Sequence, residues 1–131
     1  MKVAVAKYAI QAPADFAAFA ARQADVLADA AAQGARIAVL PEYLALELAA
    51  TFDATVQADL HASLAAIQRY RDDWLALYAQ LAKELDLHIV AGSFLLAQGE
   101  GRYRNRSDLF TPQGMHAWQD KLQLTGFEKG L

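Results

Sequence analysis

Apolar residues recur along the chain with two periods, and the switches between them mark out the elements. Val3, Val5, Tyr8 and Ile10 fall in a short β-rich run that reads as a first strand, from Lys2 to about Ala9. Pro13 and Asp15 then supply helix-start signals. Phe16, Phe19, Val26, Leu27 and Ala30 follow at spacings that gather bulky groups on one helical face, and Gln23 shares the stripe. Gly34 stands where a helix C-cap belongs. The run Ile37-Ala38-Val39-Leu40 is wholly apolar, as in a strand covered on both faces, and Pro41 cannot continue its ladder. Strand, helix and strand with a crossover of this length predict a parallel, right-handed unit.

From Tyr43 to about Ala58 neither period holds, because Thr51, Asp53 and Thr55 interrupt an Ala-rich apolar stretch. A second helix is clearer. Leu64, Ile67, Tyr70, Trp74, Tyr78, Leu81 and Leu85 recur at three and four, with Arg71, Asp72, Gln80 and Lys83 off the stripe. His88-Ile89-Val90-Ala91 reads as a strand, followed by Gly92-Ser93-Phe94-Leu95-Leu96. Gly99-Glu100-Gly101 is a turn, and the segments from Tyr103 to Phe110 and Met115 to Leu122 form a hairpin around Thr111-Pro112-Gln113-Gly114. The expected class is α/β with a mixed sheet, without internal repeat, linker or low-complexity tail.

Composition narrows the function. The 131 residues suit one domain, and 56% hydrophobic with 21% charged residues is a globular balance. A net charge of −3 gives no electrostatic reason to expect nucleic acid or an anionic membrane as partner. No run approaches the roughly 20 apolar residues of a membrane span. Lys7 breaks the apolar N-terminus, which does not read as a signal peptide, so a cytoplasmic location is expected. There is no cysteine, which excludes disulfides, thiolate metal sites and a Cys nucleophile within these residues.

Two charged residues stand at strand ends. Glu42 follows directly on Ala38-Val39-Leu40-Pro41, at the kind of carboxyl edge where α/β sheets gather functional groups. A carboxylate fixed there can act as a general base; read alone, it is more often a solvated residue at a helix start. Lys121 ends the run Met115 to Asp120 and could stabilise a developing oxyanion; read alone, it is more often an edge-strand charge. Other signals carry less. His61, His88 and His116 show no ligand spacing. Arg102, Arg104 and Arg106 alternate as on a solvated hairpin face or subunit contact, and Gly99-x-Gly101 precedes no helix. Tyr70, Trp74 and Tyr78 read as core.

Taken together, the segments carry a resemblance. A strand ending in Leu40-Pro41-Glu42, then Ile89-Val90-Ala91-Gly92-Ser93, then the block Tyr103-Arg104-Asn105…Gly114…Lys121-Leu122 is similar to the nitrilase superfamily of carbon–nitrogen hydrolases, over essentially the whole chain. The resemblance implies a four-layer α-β-β-α sandwich, of which about the N-terminal half is present as a single, incomplete domain over residues 1–131. It implies a Glu-Lys-Cys mechanism that needs no cofactor and no metal. Glu42 would be the general base to a cysteine thiol, and Lys121 would stabilise the tetrahedral intermediate on an amide or, less often, a nitrile carbon. Glu128 matches a further glutamate of the family, though a solvated loop charge beside Lys129 fits that position equally. Tyr43 and Phe127, each next to a proposed functional residue, are candidates for lining the substrate pocket or for ordinary packing.

One departure is large: the family's cysteine would lie some tens of residues after the lysine, and Ser93 lacks the Gly-x-Ser-x-Gly context of a substitute. The 131 residues alone are therefore expected to be inert. The sheet face that meets the missing half should lie open, favouring association. Expected partners are a small amide or nitrile substrate and further copies of the chain, a dimer or higher. The competing reading is a catalytically dead subunit that keeps this fold as a scaffold; an unrelated α/β binding domain would leave Glu42 and Lys121 far apart.

Overall fold

The computed structural model describes residues 1–131. Strand β1 (Lys2–Val5), helix α1 (Phe16–Ala32) and strand β2 (Ala35–Val39) form the expected parallel unit, with Val3 opposite Ile37 and Val5 opposite Val39. The Asp15 carboxylate accepts from the Ala18 N–H at 2.8 Å and so caps α1, and Gly34 leaves the helix at φ +88°. Phe19, Gln23 and Leu27 are the buried stripe. The first strand is shorter than its sequence suggests. Beyond Val5 only the Ala6 N–H still reaches Val39, and the chain then turns so that the Tyr8 hydroxyl bonds Glu47.

The ambiguous stretch resolves into a 3₁₀ turn, Leu44–Thr51, and a short helix α2 (Ala54–Gln57) capped by Asp53. The single second helix of the periodicity is in fact two: α3 (Leu60–Ile67) and α4 (Arg71–Leu85), joined by a 3₁₀ turn at Gln68–Tyr70. Tertiary bonds account for the break. The Gln68 side-chain amide donates to the Leu95 carbonyl at 2.8 Å and accepts from the Ala97 N–H at 3.0 Å, tying the turn to a strand edge.

The remaining strands are β3 (His88–Val90), β4 (Phe94–Gly99), β5 (Arg102–Phe110) and β6 (His116–Asp120). All six strands form one sheet. β2 runs parallel to β3, while β3, β4 and β6 are antiparallel to β5. Leu109 faces both Val90 and Ala117, and Arg106 faces both Phe94 and Asp120, so β3 and β4 share one edge of β5 and β6 takes the other. The carboxyl ends of β2, β3 and β6 therefore point the same way.

One face of the sheet carries the helices. There the fully buried Trp74 stacks on Phe19 at 5.7 Å and meets Tyr78 and Phe94 edge-on, at 4.9 and 5.5 Å. Cross-strand partners share a face, so the register puts Val3, Val5, Ile37, Val39, Val90 and Leu109 together on the opposite side. No helix of these residues covers those six positions, and Val5 is 76% exposed. No helix is long and apolar enough to cross a membrane.

Candidate active site

Glu42 owes its position to a tight junction after β2. The Leu40 N–H bonds the Val90 carbonyl at 2.9 Å, which holds the strand end against β3. Tyr43 then adopts a left-handed conformation, φ 63°, and its N–H donates to the Ser93 hydroxyl at 2.8 Å. Gly92 makes the approach possible. It has φ +64°, and a Cβ there would sit 2.2 Å from the Pro41 carbonyl oxygen. The Ser107 hydroxyl closes the arrangement by donating to the Gly92 carbonyl at 2.8 Å.

Lys121 is delivered by the hairpin. Its N–H bonds the Asn105 carbonyl at 2.9 Å, extending the β5–β6 ladder by one step beyond Asp120. Strand alternation puts Asn105 and Ser107 on the open face of the sheet, with Lys121 beside Asn105. Glu128 arrives differently. The Thr125 hydroxyl accepts from the Glu128 N–H at 3.2 Å, and the Glu128 carboxylate accepts from the Thr125 N–H at 3.0 Å. This reciprocal box starts a one-turn 3₁₀ segment, Glu128–Gly130, and points the carboxylate inward.

The three side chains meet. Lys121 Nζ lies 3.0 Å from Glu42 Oε2 and 2.9 Å from Glu128 Oε1. Asn105 Nδ2 donates to the same two carboxylates, at 2.6 Å to Glu42 and 2.9 Å to Glu128. Two donors and two acceptors thus close a ring with a formal charge of about −1. Glu128 is buried, whereas the Glu42 side chain keeps 46% of its surface. Burial opposes charge on Glu128 more strongly than any single contact favours it. The Thr125 N–H, Lys121, the Asn105 amide and the Thr125 hydroxyl together outweigh it and hold the carboxyl down at about 2. The bonds to Glu128 and then Glu42 push the Lys121 ammonium well above its ordinary range. Lys121 is therefore a permanent cation and not a base.

A cavity of about 300 Å³ opens beside the ring, lined by Glu42, Ser93, Asn105, Ser107, Gln119 and Lys121 among others. Tyr43 borders a neighbouring cavity together with Glu42. Burial, and then the carboxylates of Glu128 and Glu42, raise its phenol above the ordinary value. Phe127, next to Glu128, is 53% exposed and lines neither of these two cavities. Asn105 was legible only as a landmark of the hairpin block, although its alternation with Ser107 and its place beside Lys121 in the ladder would have put it at the site. The Thr125-x-x-Glu128 spacing was a second available signal. No group of three or more His, Asp or Glu side chains is arranged to hold a metal ion, and the space between the two carboxylates is filled by the ammonium and the amide.

A family model described as carbon-nitrogen hydrolase matches residues 2–129. No curated protein matches the chain. Among solved structures, a carbon–nitrogen hydrolase from Helicobacter pylori G27 superposes with a TM-score of 0.74 at 16% identity, over 98% of this chain and 42% of that one. An amidase from Nesterenkonia sp. gives 0.66 at 20% identity, over 99% and 46%. A CN-hydrolase superfamily protein from Xanthomonas campestris, with an arsenic adduct in its active site, gives 0.60 at 23%, over 88% and 38%. At these identities the likeness is one of fold, and the chain spans less than half the length of each.

Proposed function

This chain belongs to the carbon–nitrogen hydrolase family, and from that premise we propose that Glu42, Lys121 and Glu128 are one share of an active site that hydrolyses a non-peptide C–N bond, an amide in preference to a nitrile. The nucleophile is a cysteine thiol from outside these residues, which hold none. On this reading residues 1–131 are the first part of a single hydrolase domain. The observation that carries it is Lys121 Nζ, held 3.0 Å from one carboxylate and 2.9 Å from the other. Two of its three N–H groups are thereby used, and the third is free for a substrate oxygen.

The steps follow from that geometry. The thiol gives its proton to Glu42 and its sulfur attacks the amide carbon. The carbonyl electron pair moves onto oxygen, where the free Lys121 N–H stabilises it. Glu42 passes its proton to the nitrogen as the C–N bond breaks, so ammonia or an amine leaves and a thioester remains. Water then adds with Glu42 again taking a proton, the acid departs, and that proton returns to the sulfur. Glu128 acts through Lys121, keeping it charged and in place. The amide preference draws support from the Nesterenkonia protein of like fold, which is an amidase.

The test is ammonia release from simple amides by the intact native protein. Glu42→Gln should abolish turnover, and Lys121→Ala should lower kcat by about a hundred- to a thousandfold, the cost of removing an oxyanion donor. Turnover that survives Glu42→Gln overturns the reading. An intact protein without a cysteine and without ammonia release favours the scaffold subunit instead, a reading that rests on the absence of cysteine from the 131 residues.

A further inference from the structure

A third carboxylate lies close to this site and has no part in the steps above. Glu47 stands in the 3₁₀ turn that follows Glu42, and only 6% of it is exposed. Its Oε1 accepts from the Tyr8 hydroxyl at 3.0 Å and its Oε2 from the Gln11 N–H at 3.2 Å. Behind Tyr8 runs a chain of neutral hydrogen bonds, with the Arg22 guanidinium against the Tyr8 ring. Gln23 donates to the Tyr8 oxygen at 2.9 Å, and the Tyr78 hydroxyl donates to Gln23 at 2.9 Å. Burial, followed by the bond to Glu47 and its charge, raises the Tyr8 phenol above its ordinary value, so Tyr8 remains a donor.

None of the five ion pairs of the molecule includes Glu47. Arg22 is engaged elsewhere: its guanidinium lies over the Tyr8 ring, 4.5 Å from the centroid, and donates to the Ala9 carbonyl. The Glu47 carboxylate has two neutral hydrogen-bond donors and no direct ion pair, so a cation at a free lone pair would add a charge-assisted bond. The space for one is present. Glu47 and Glu42 line the same cavity, of about 490 Å³, whose other walls include the apolar Ile10, Leu46 and Ala49 and the amides of Gln11 and Gln57. A cavity with two acids and an aliphatic stretch of wall suits a short aliphatic stem with a polar group at each end.

We propose that this cavity is the specificity pocket of the site and selects a compact aliphatic amide bearing a primary ammonium group, which pairs with Glu47 while the amide lies at Glu42 and Lys121. The proposal rests on the hydrolase reading of Glu42 and Lys121. It makes Glu47 a specificity-determining residue that touches the substrate away from the reacting bond. The rest of the pocket is orienting: Tyr8 and Gln11 fix the Glu47 carboxylate, and Tyr43 borders the path between the two acids.

The experiment compares ω-amino aliphatic amides of increasing stem length with isosteres that carry a methyl group in place of the ammonium, on the intact native protein. At the best stem length kcat/KM for the ammonium compound should exceed that of its isostere about ten- to a hundredfold, the worth of a hydrogen-bonded charge pair. Glu47→Gln should collapse that ratio towards one, and Glu47→Asp should retain part of it. Calorimetric titration with n-butylamine supplies a readout independent of turnover, binding to the native protein and not to the Glu47→Gln variant. Hydrolysis of both amides without an ammonium preference overturns the pocket and leaves the hydrolase reading standing. A Glu47→Gln variant that slows both amides while keeping the ratio overturns it as well, and makes Glu47 a brace for Tyr8. Amine binding through Glu47 with no hydrolysis of any amide sinks the hydrolase reading alone, and absence of both binding and preference sinks the pocket even if the variant fails to fold.

Discussion

Asn105 decides how two carboxylates can share one small site. Glu42 and Glu128 both accept from its Nδ2, and both also touch Lys121, so the repulsion of like charges is met from two sides. Its own Oδ1 is buried without a partner, which is tolerable only because a flipped amide would aim oxygen at both carboxylates. Removing the amide should loosen the ring more than it unfolds the chain. Asn105→Ala in the intact protein is expected to lower kcat about a hundredfold with KM changed far less, the cost of a base displaced by the order of an ångström. Steady-state kinetics beside a circular-dichroism melt would separate the two effects; a variant with native kcat would reduce Asn105 to packing. The sequence displayed Asn105 plainly, but as one polar residue among Arg104, Arg106 and Ser107. Which of these reaches Glu42 depends on strand register, and register is a tertiary quantity.

At the scale of elements, the hairpin that delivers Lys121 is fastened to the helical layer by one buried charge cluster. Asp108 on β5 accepts two bonds from Arg71 at the start of α4, at 2.8 and 2.9 Å, and a third from His116 on β6 at 2.8 Å. The Asp108 side chain is 1% exposed and that of Arg71 13%, so removing the acid would strand a cation in the core. Asp108→Ala should destabilise the protein by about 3 kcal/mol or more, as measured by urea unfolding. A loss below about 1 kcal/mol would mean the pair is dispensable. The same layer holds the sequence's clearest misreading. The apolar stripe from Leu64 to Leu85 runs on at helical spacing through residues 68–70, where the helix breaks. Gln68 bonds across to β4 there, and nothing in its neighbours announces a partner so distant in sequence.

At the scale of the whole molecule, the sheet is finished on one face only. Val3, Val5, Ile37, Val39, Val90 and Leu109 form an apolar field that no helix of these residues covers, and the ring of Glu42, Lys121, Asn105 and Glu128 lies at its end. In the α-β-β-α sandwich of this family that face meets a second sheet. An open patch of this kind drives association in water. Prepared alone, the 131 residues should bind a hydrophobic dye such as ANS and sediment as more than one 14.3 kDa chain. A monodisperse, dye-free monomer would show that the face is stable in water. The second sheet would also wall off the cavity at Lys121, raising the strength of every charge interaction inside it.

Local signals determined much of this protein without help. Period-two and period-three-to-four patterns, with Asp15, Gly34 and Pro41 as punctuation, marked strand, helix and strand, because those signals act within a few residues of where they stand. Their order also carried the family, since Leu40-Pro41-Glu42 and the Asn105 to Lys121 block keep a spacing that the fold requires. Tertiary structure alone decided what those residues do to one another. It placed Glu42 and Lys121, 79 residues apart in the chain, within one hydrogen bond. It turned Phe127 to solvent while burying its neighbour Glu128, and it hid Glu47, outside every ion pair, beside a second cavity that Glu42 also lines. The physical reason is common to all three. Charge pairing and desolvation depend on distance and dielectric in space, and sequence order records neither until the sheet has chosen its register.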